Sequence, residues 1–294
     1  MPANPRTERI ASAPGVEVVV TTHGGDPAGL PVILLHGLSQ QREFWGPVVR
    51  RLRSRPVAAM DQRGHGETDT ALDRDYSVSA CAADVIAVLD HLGWARAVVV
   101  GHSWGASVAL AAASEAGDRV AAAVLVDGGL WSPSALGPRA KVREALTPPA
   151  LGLPAEELWA LVRSGDLGPW WSDEAQEALA PTFRTDHDGL VWTRLGMERH
   201  MLVLDGMLDH DHRGALDRCT ERGVPVWAAV CESRRTVPDA WQRAKDDAVA
   251  DALLRGNCLV QRWSGAVHDV PLQWPSLVAG LVDAVVEQAE GGDR

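Results

Sequence analysis

Residues 98–113, Val98-Val99-Val100-Gly101-His102-Ser103-Trp104-Gly105-Ala106-Ser107-Val108-Ala109-Leu110-Ala111-Ala112-Ala113, decide how this chain is folded. Three valines predict a buried strand and the alanine-rich run after Gly105 predicts a helix, so Gly101–Gly105 must turn sharply between them. A turn this tight leaves no room for side chains at Gly101 and Gly105, and it forces Ser103 into a strained backbone conformation. Its hydroxyl is then held in the open at the strand's C-terminal end, beside the first amides of a helix. A Gly-x-Ser-x-Gly pattern alone also fits an ordinary glycine-rich turn. The strand before it and the helix after it point to a nucleophile.

Outward from this point, short apolar runs recur at Val16–Thr21, Pro31–Leu35, Val57–Met60, Ala97–Val100, Ala123–Val126, Val224–Val230 and Cys258–Arg262. They are near-continuously apolar, as parallel strands covered on both faces are. Helices are expected at 41–54, 78–93, 105–117, 239–255 and 273–288. The alternation predicts an α/β fold with a doubly wound, mostly parallel sheet, whose strand-end loops gather on one edge where ligands bind. The rhythm breaks between about Leu130 and Cys219. That stretch lacks strand-like runs, carries helical patches at 155–164, 173–180 and 192–204, and is interrupted by Pro148, Pro149, Pro154 and Pro169. It is too long for a structureless loop. The expected organisation is a core of residues 1–129 and 220–294 with an inserted helical cap, 130–219. The tail Glu290–Arg294 is expected to be disordered.

Composition narrows the function classes. The 294 residues are 46% hydrophobic and 23% charged, with a net charge of −11, and no basic run is long enough to track phosphates. Nucleic acid and anionic membrane surfaces are therefore not expected partners. The only lysines, Lys141 and Lys245, suggest a compositional bias toward arginine. No signal peptide or membrane span is recognisable, so a cytoplasmic location is expected. Cys81, Cys219, Cys231 and Cys258 are widely spaced and are expected to be free thiols. Asp209-His210-Asp211-His212 looks like a metal motif, but adjacent ligands rarely converge on one ion, and a solvated loop is the better expectation. No metal and no cofactor is implied.

A serine hydroxyl needs a base to take its proton, and the base needs an acid to orient it. His268, in Trp263-Ser264-Gly265-Ala266-Val267-His268-Asp269-Val270-Pro271, lies between the last strand and the last helix, on the same sheet edge as Ser103. His102 and His65 are expected to be structural. With these residues in view the chain resembles the α/β-hydrolase fold superfamily, and specifically its cap-domain-containing serine hydrolases. The resemblance rests on four motifs in order: Leu35-His36-Gly37-Leu38, Asp61-Gln62-Arg63-Gly64-His65-Gly66-Glu67-Thr68, Gly101–Gly105, and Gly265-x-x-His268. It implies an oxyanion hole from the backbone amides of Leu38 and Trp104. The acid departs from the common pattern. Most relatives carry it after the strand equivalent to Val224–Val230, where this chain has Cys231-Glu232-Ser233-Arg234-Arg235-Thr236-Val237-Pro238, and Arg234 stands in the acid's place. An arginine cannot accept the imidazole N–H. Some relatives carry the acid one strand earlier, where Asp127 stands. Asp127 is therefore the expected acid, with Glu232 or a dyad without a carboxylate as the alternatives.

Epoxide hydrolases and haloalkane dehalogenases of this fold have a similar turn but an aspartate nucleophile, so Ser103 points instead to attack on a carbonyl. The leading expectation is a serine hydrolase cleaving an ester, lactone or thioester of a mainly apolar small molecule through an acyl-serine intermediate. The alternatives are a C–C bond hydrolase or cofactor-free lyase or cyclase using the same Ser/His site, and a weakly catalytic small-molecule receptor. Trp104, Phe44-Trp45 as a pocket floor, and Trp131, Trp159, Trp170, Trp171 and Trp192 favour an apolar or aromatic substrate, although any single tryptophan serves packing first.

Overall fold

The computed structural model describes residues 5–68, 71, 74–148, 152–232 and 239–292. Its centre is made by runs too apolar to face water on either side. In Val32–Leu35, Val32 and Leu34 enter one apolar layer and Ile33 and Leu35 the other, as side chains alternating across a strand must.

An antiparallel hairpin, β1 (Arg6–Ala13) and β2 (Val16–His23), opens the chain. It is followed by β3 (Val32–Leu35), the helical turn α1 (Gly46–Val49), β4 (Val57–Asp61), α2 (Val78–His91), β5 (Ala97–His102), α3 (Trp104–Glu115) and β6 (Val120–Val126). The next segment holds α4 (Arg139–Leu146), β7 (Leu153–Pro154), α5 (Ala155–Ser164), α6 (Asp173–Leu179), β8 (Phe183–Thr185), β9 (Leu190–Thr193), α7 (Met197–Asp209) and α8 (His212–Glu221). The large sheet resumes with β10 (Val226–Glu232), α9 (Ala240–Arg255), β11 (Leu259–Ser264), the turn α10 (Val270–Gln273) and α11 (Pro275–Gly292). Eight strands pair in the order β1-β2-β4-β3-β5-β6-β10-β11. Only β2 runs antiparallel to its neighbours; β4 through β11 in that order are parallel. The C-terminal ends of β3, β5, β6, β10 and β11 therefore lie along one edge, where the loops at 36–40, 103, 127–129 and 265–269 gather.

The structure corrects several expectations. Residues 6–13 form a strand that the polar sequence concealed, because at the sheet's edge only Ile10 is fully buried. The helix expected at 41–54 is a 3₁₀ turn at Arg42–Trp45 followed by one turn ending at Val49. The segment after β6 does contain strands: β7, β9 and β8 pair into a small antiparallel sheet, and 192–204 splits into the end of β9 and most of α7. Those strands are two to four residues long, below what alternation can reveal. Glu290 lies within α11, its Oε1 accepting from Leu30 N at 2.8 Å, while residues 293–294 lie outside the described residues. Pro149 also lies outside them. All four cysteines are free and buried. Among the described residues, no helix is long and apolar enough to cross a membrane.

Candidate active site

Ser103 joins β5 directly to α3 with φ 54° and ψ −120°, in the region where a Cβ is strained. Crowding explains the two glycines around it. A Cβ on Gly101 would sit 2.0 Å from the Gly105 carbonyl oxygen, and one on Gly105 would sit 2.4 Å from that of Leu35. The Ser103 amide donates to Val126 O at 2.9 Å, tying the turn to the end of β6. Of the four non-glycine residues with positive φ among those described, three cluster here: Ser39, Ser103 and Asp127. Held strain of this kind concentrates at functional sites.

His268 reaches Ser103 from the loop after β11, its Nε2 lying 3.0 Å from Oγ. Its Nδ1 donates to Asp127 Oδ2 at 2.7 Å. The structure thus brings Ser103, His268 and Asp127 into one hydrogen-bonded line and leaves Glu232 out of it. The Glu232 carboxylate instead accepts from Arg262 Nη1 at 2.7 Å. Residues 233–238, Arg234 among them, lie outside the described residues. Asp127 is buried, and its amide donates to Ala229 O at 2.8 Å, so the acid is anchored to β10 although it follows β6. Asp127-Gly128-Gly129 packs on the Ser103 turn: a Cβ on Gly128 would lie 2.1 Å from Ser103 O. The glycine pair after Asp127 is what permits this close approach.

Lys245, on α9, is the site residue that sequence reasoning missed. Its Nζ donates to Asp127 Oδ1 at 2.7 Å and Oδ2 at 2.9 Å, while Cys231 N donates to Oδ1 at 2.9 Å. Burial alone would raise the Asp127 carboxyl. The His268 hydrogen bond and charge, with Lys245 beside them, outweigh it and hold the group well below the usual carboxylate range. For His268 burial pulls downward, yet the hydrogen bond and charge of Asp127, joined by Asp269, carry it above the ordinary histidine value; Lys245 opposes them. Such a ring can take up a proton from Ser103.

The surrounding histidines are neutral supports. His102 Nε2 lies 2.8 Å from the carbonyl oxygen of His268, and its ring stacks on Phe44 with centroids 4.9 Å apart. Burial and the neighbouring His268 push it down to about 4. His36 Nε2 accepts from Gln62 N at 3.1 Å, which ties the Leu35–Leu38 turn to the Asp61–Thr68 loop. In that loop Arg63 pairs with both oxygens of Asp84 on α2 (2.7 and 2.8 Å), and His65 stacks on Trp104. Gln273 holds the histidine loop by accepting from Val267 N at 2.7 Å and donating to Gly265 O at 3.1 Å. Leu38 and Trp104 both border the cavity at Ser103, and a Cβ on Gly37 would lie 3.1 Å from Ser103 Cβ, so the 36–40 turn abuts the serine.

A cavity of about 950 Å³ opens over Ser103, lined by residues that include Trp104, Trp131, Trp170, Met207, Leu204 and Trp241. Trp131 and Trp241 meet edge to face at 4.9 Å. One expectation about aromatic residues needs correction, while Trp159, Trp171 and Trp192 lie outside the cavity lining, in the packing roles expected first of any single tryptophan. Phe44 and Trp45 are fully buried core residues and do not floor the cavity. Trp159 and Trp171 pack with each other, and Trp159 also with Phe183. Trp192 donates to Asp186 Oδ2 at 2.7 Å. The 209–212 run is not a solvated loop either. His212 turns into the core, Asp211 caps α8 through Gly214 N at 2.9 Å, and Asp209 pairs with Arg139. His210 and His212 meet edge to face at 4.6 Å, while Asp209 and Asp211 are engaged elsewhere.

The family pattern of the alpha/beta hydrolase fold matches residues 31–181, just over half of the chain. The chain belongs to the alpha/beta hydrolase fold family. Among its relatives within that family is RutD of Caulobacter vibrioides, provisionally named a carbamate hydrolase, which is 41% identical over 112 residues. That stretch is 37% of this chain and 41% of RutD, so the chain spans less than half the length of this relative. Lipase LipV of Mycobacterium tuberculosis is 29% identical over 185 residues, 52% of this chain and 70% of LipV. The solved structure of E-2-(acetamidomethylene)succinate hydrolase superposes with a TM-score of 0.77 at 21% identity, covering 97% of this chain and 100% of that one. At that identity the likeness concerns the hydrolase fold alone.

Proposed function

We propose that this protein is a serine hydrolase that cleaves an ester, lactone or thioester of a mainly apolar small molecule through an acyl-serine intermediate. The observation that carries this reading is the unbroken line Asp127 Oδ2···His268 Nδ1 (2.7 Å) and His268 Nε2···Ser103 Oγ (3.0 Å) at the floor of an apolar cavity. His268 takes the proton of Ser103 as Oγ attacks the carbonyl, and Asp127 stabilises the imidazolium and fixes its tautomer. The amides of Leu38 and Trp104 receive the developing oxyanion. His268 then protonates the leaving group and draws a proton from the water that releases the acyl chain.

In this reading residues 130–219 are a cap over a core of 1–129 and 220–294. Its Trp131 and Trp170, with Trp241 of α9, supply apolar walls suited to an aliphatic or aromatic substrate. A cytoplasmic location agrees with four free thiols. The test is a fluorophosphonate probe together with a panel of p-nitrophenyl esters of rising chain length. Labelling and turnover that both vanish in Ser103→Ala are expected, with a loss on the order of 10⁴–10⁶ in rate. Labelling without ester turnover would shift the reading to C–C bond or lyase chemistry, and neither labelling nor turnover would shift it to a receptor.

A further inference from the structure

Two other serines border the cavity, Ser39 beside the Leu38 turn and Ser107 one helical turn beyond Ser103. Each is joined to a histidine from the segment between β6 and β10. Ser107 Oγ lies 2.8 Å from His212 Nε2, and Ser39 Oγ lies 2.9 Å from His200 Nδ1. In both rings the other nitrogen faces a backbone carbonyl: His212 Nδ1 lies 3.0 Å from His210 O, and His200 Nε2 lies 3.2 Å from Leu146 O. A carbonyl oxygen can only accept, so those nitrogens carry the protons. Both rings are buried. Burial pushes His212 down to about 3 and lowers His200, so both are neutral at ordinary pH. A neutral ring has one N–H, already used. The nitrogen facing the serine is therefore bare and accepts a hydrogen bond from the hydroxyl.

The same arrangement, built twice, leaves Ser39 Oγ and Ser107 Oγ with only lone pairs to offer. We infer that these two oxygens are acceptor-only positions of the binding site, and that the substrate carries a hydrogen-bond-donating group, a hydroxyl or N–H, that meets one of them. This deepens the hydrolase reading and rests on it for the nature of the occupant. A mainly apolar wall gains selectivity this way. A ligand that brings a donor satisfies a lone pair, whereas one that brings only an acceptor, such as an ether or a carboxylate, meets repulsion and an unfilled desolvation cost.

Binding is measured by calorimetry on Ser103→Ala, which removes turnover, with six-carbon esters that bear a hydroxyl on the acyl chain, a hydroxyl on the alkoxy chain, a methyl ether at either place, or neither. At least one hydroxylated ester is expected to bind roughly 3–10-fold tighter than its parent, the range of a neutral hydrogen bond, and its methyl ether no tighter than the parent. Adding Ser107→Ala or Ser39→Ala should bring the hydroxyl-to-parent ratio to about one. Equal affinities across the panel overturn the inference, as does a methyl ether that keeps the preference, because the serine would then be donating. Hydrolysis of the parent ester by the intact protein is followed in parallel. Hydrolysis without a hydroxyl preference overturns this inference alone, and a preference without hydrolysis supports it while overturning the hydrolase reading.

Discussion

Lys245 Nζ is hydrogen-bonded to both carboxylate oxygens of Asp127, at 2.7 and 2.9 Å. In the proposed mechanism Asp127 stabilises the positive charge that His268 acquires. A cation on the same carboxylate weakens that effect, and Lys245 acts on His268 in this downward direction. The pair sets how basic His268 is as well as where its partner sits.

Replacing Lys245 with Met should therefore strengthen the hold of Asp127 on the His268 proton. The base form then appears later in a titration, so the acidic limb of the kcat/KM profile moves to higher pH. Lys245→Arg should restore much of the original position. An unmoved limb in Lys245→Met would mean that the lysine only packs the carboxylate.

In the intact protein, activity should rise with pH through a single ionisation lying above the ordinary histidine value, because His268 must be neutral to act and its proton is held by Asp127. His268→Ala should abolish both the activity and this limb. A rate flat from acidic to alkaline pH is incompatible with a histidine base.

Asp127→Asn should cost about 10²–10⁴ in kcat with little change in KM, since an amide favours the wrong tautomer and carries no charge. Glu232→Gln should cost less than about tenfold, its carboxylate being paired with Arg262 and not with His268. Steady-state kinetics of the two variants give the ranking, and the reverse order would move the acid to Glu232.

Gly128→Ala should damage stability and activity together. Its Cβ would fall 2.1 Å from the Ser103 carbonyl oxygen, so the Asp127 turn or the serine turn has to move. Overpacking of this kind costs about 1–3 kcal/mol, visible as a lower Tm, and a displaced serine lowers kcat as well. A variant with unchanged melting and unchanged kcat would show that the two turns have slack.

The strand–turn–helix at 98–113 was legible because its constraints are local: a valine run, two glycines that admit no side chain, and an alanine-rich helix. The His268 loop could be located for a related reason, as a histidine between the last strand and the last helix of a parallel sheet has to emerge on the serine's edge. Edge strand β1 and the short strands β7, β8 and β9 were hidden. Their pairing depends on partners far along the chain or on runs too short to show a period.

The acid marks the boundary between the two kinds of information. Sequence alone determined the parallel strands of the sheet, the position of Ser103 and His268 on one edge, and a preference for Asp127 over Glu232 that spacing could not settle. Tertiary structure alone decided that Asp127 points at His268 while Glu232 pairs with Arg262. It also decided that Lys245, 118 residues away in sequence, completes the carboxylate, and that His200 and His212 lie within hydrogen-bond distance of Ser39 and Ser107. The reason is physical. A strand or a sharp turn is specified by the residues within it, but the direction of a hydrogen bond between elements distant in sequence is set by how their loops pack, and no local pattern records that.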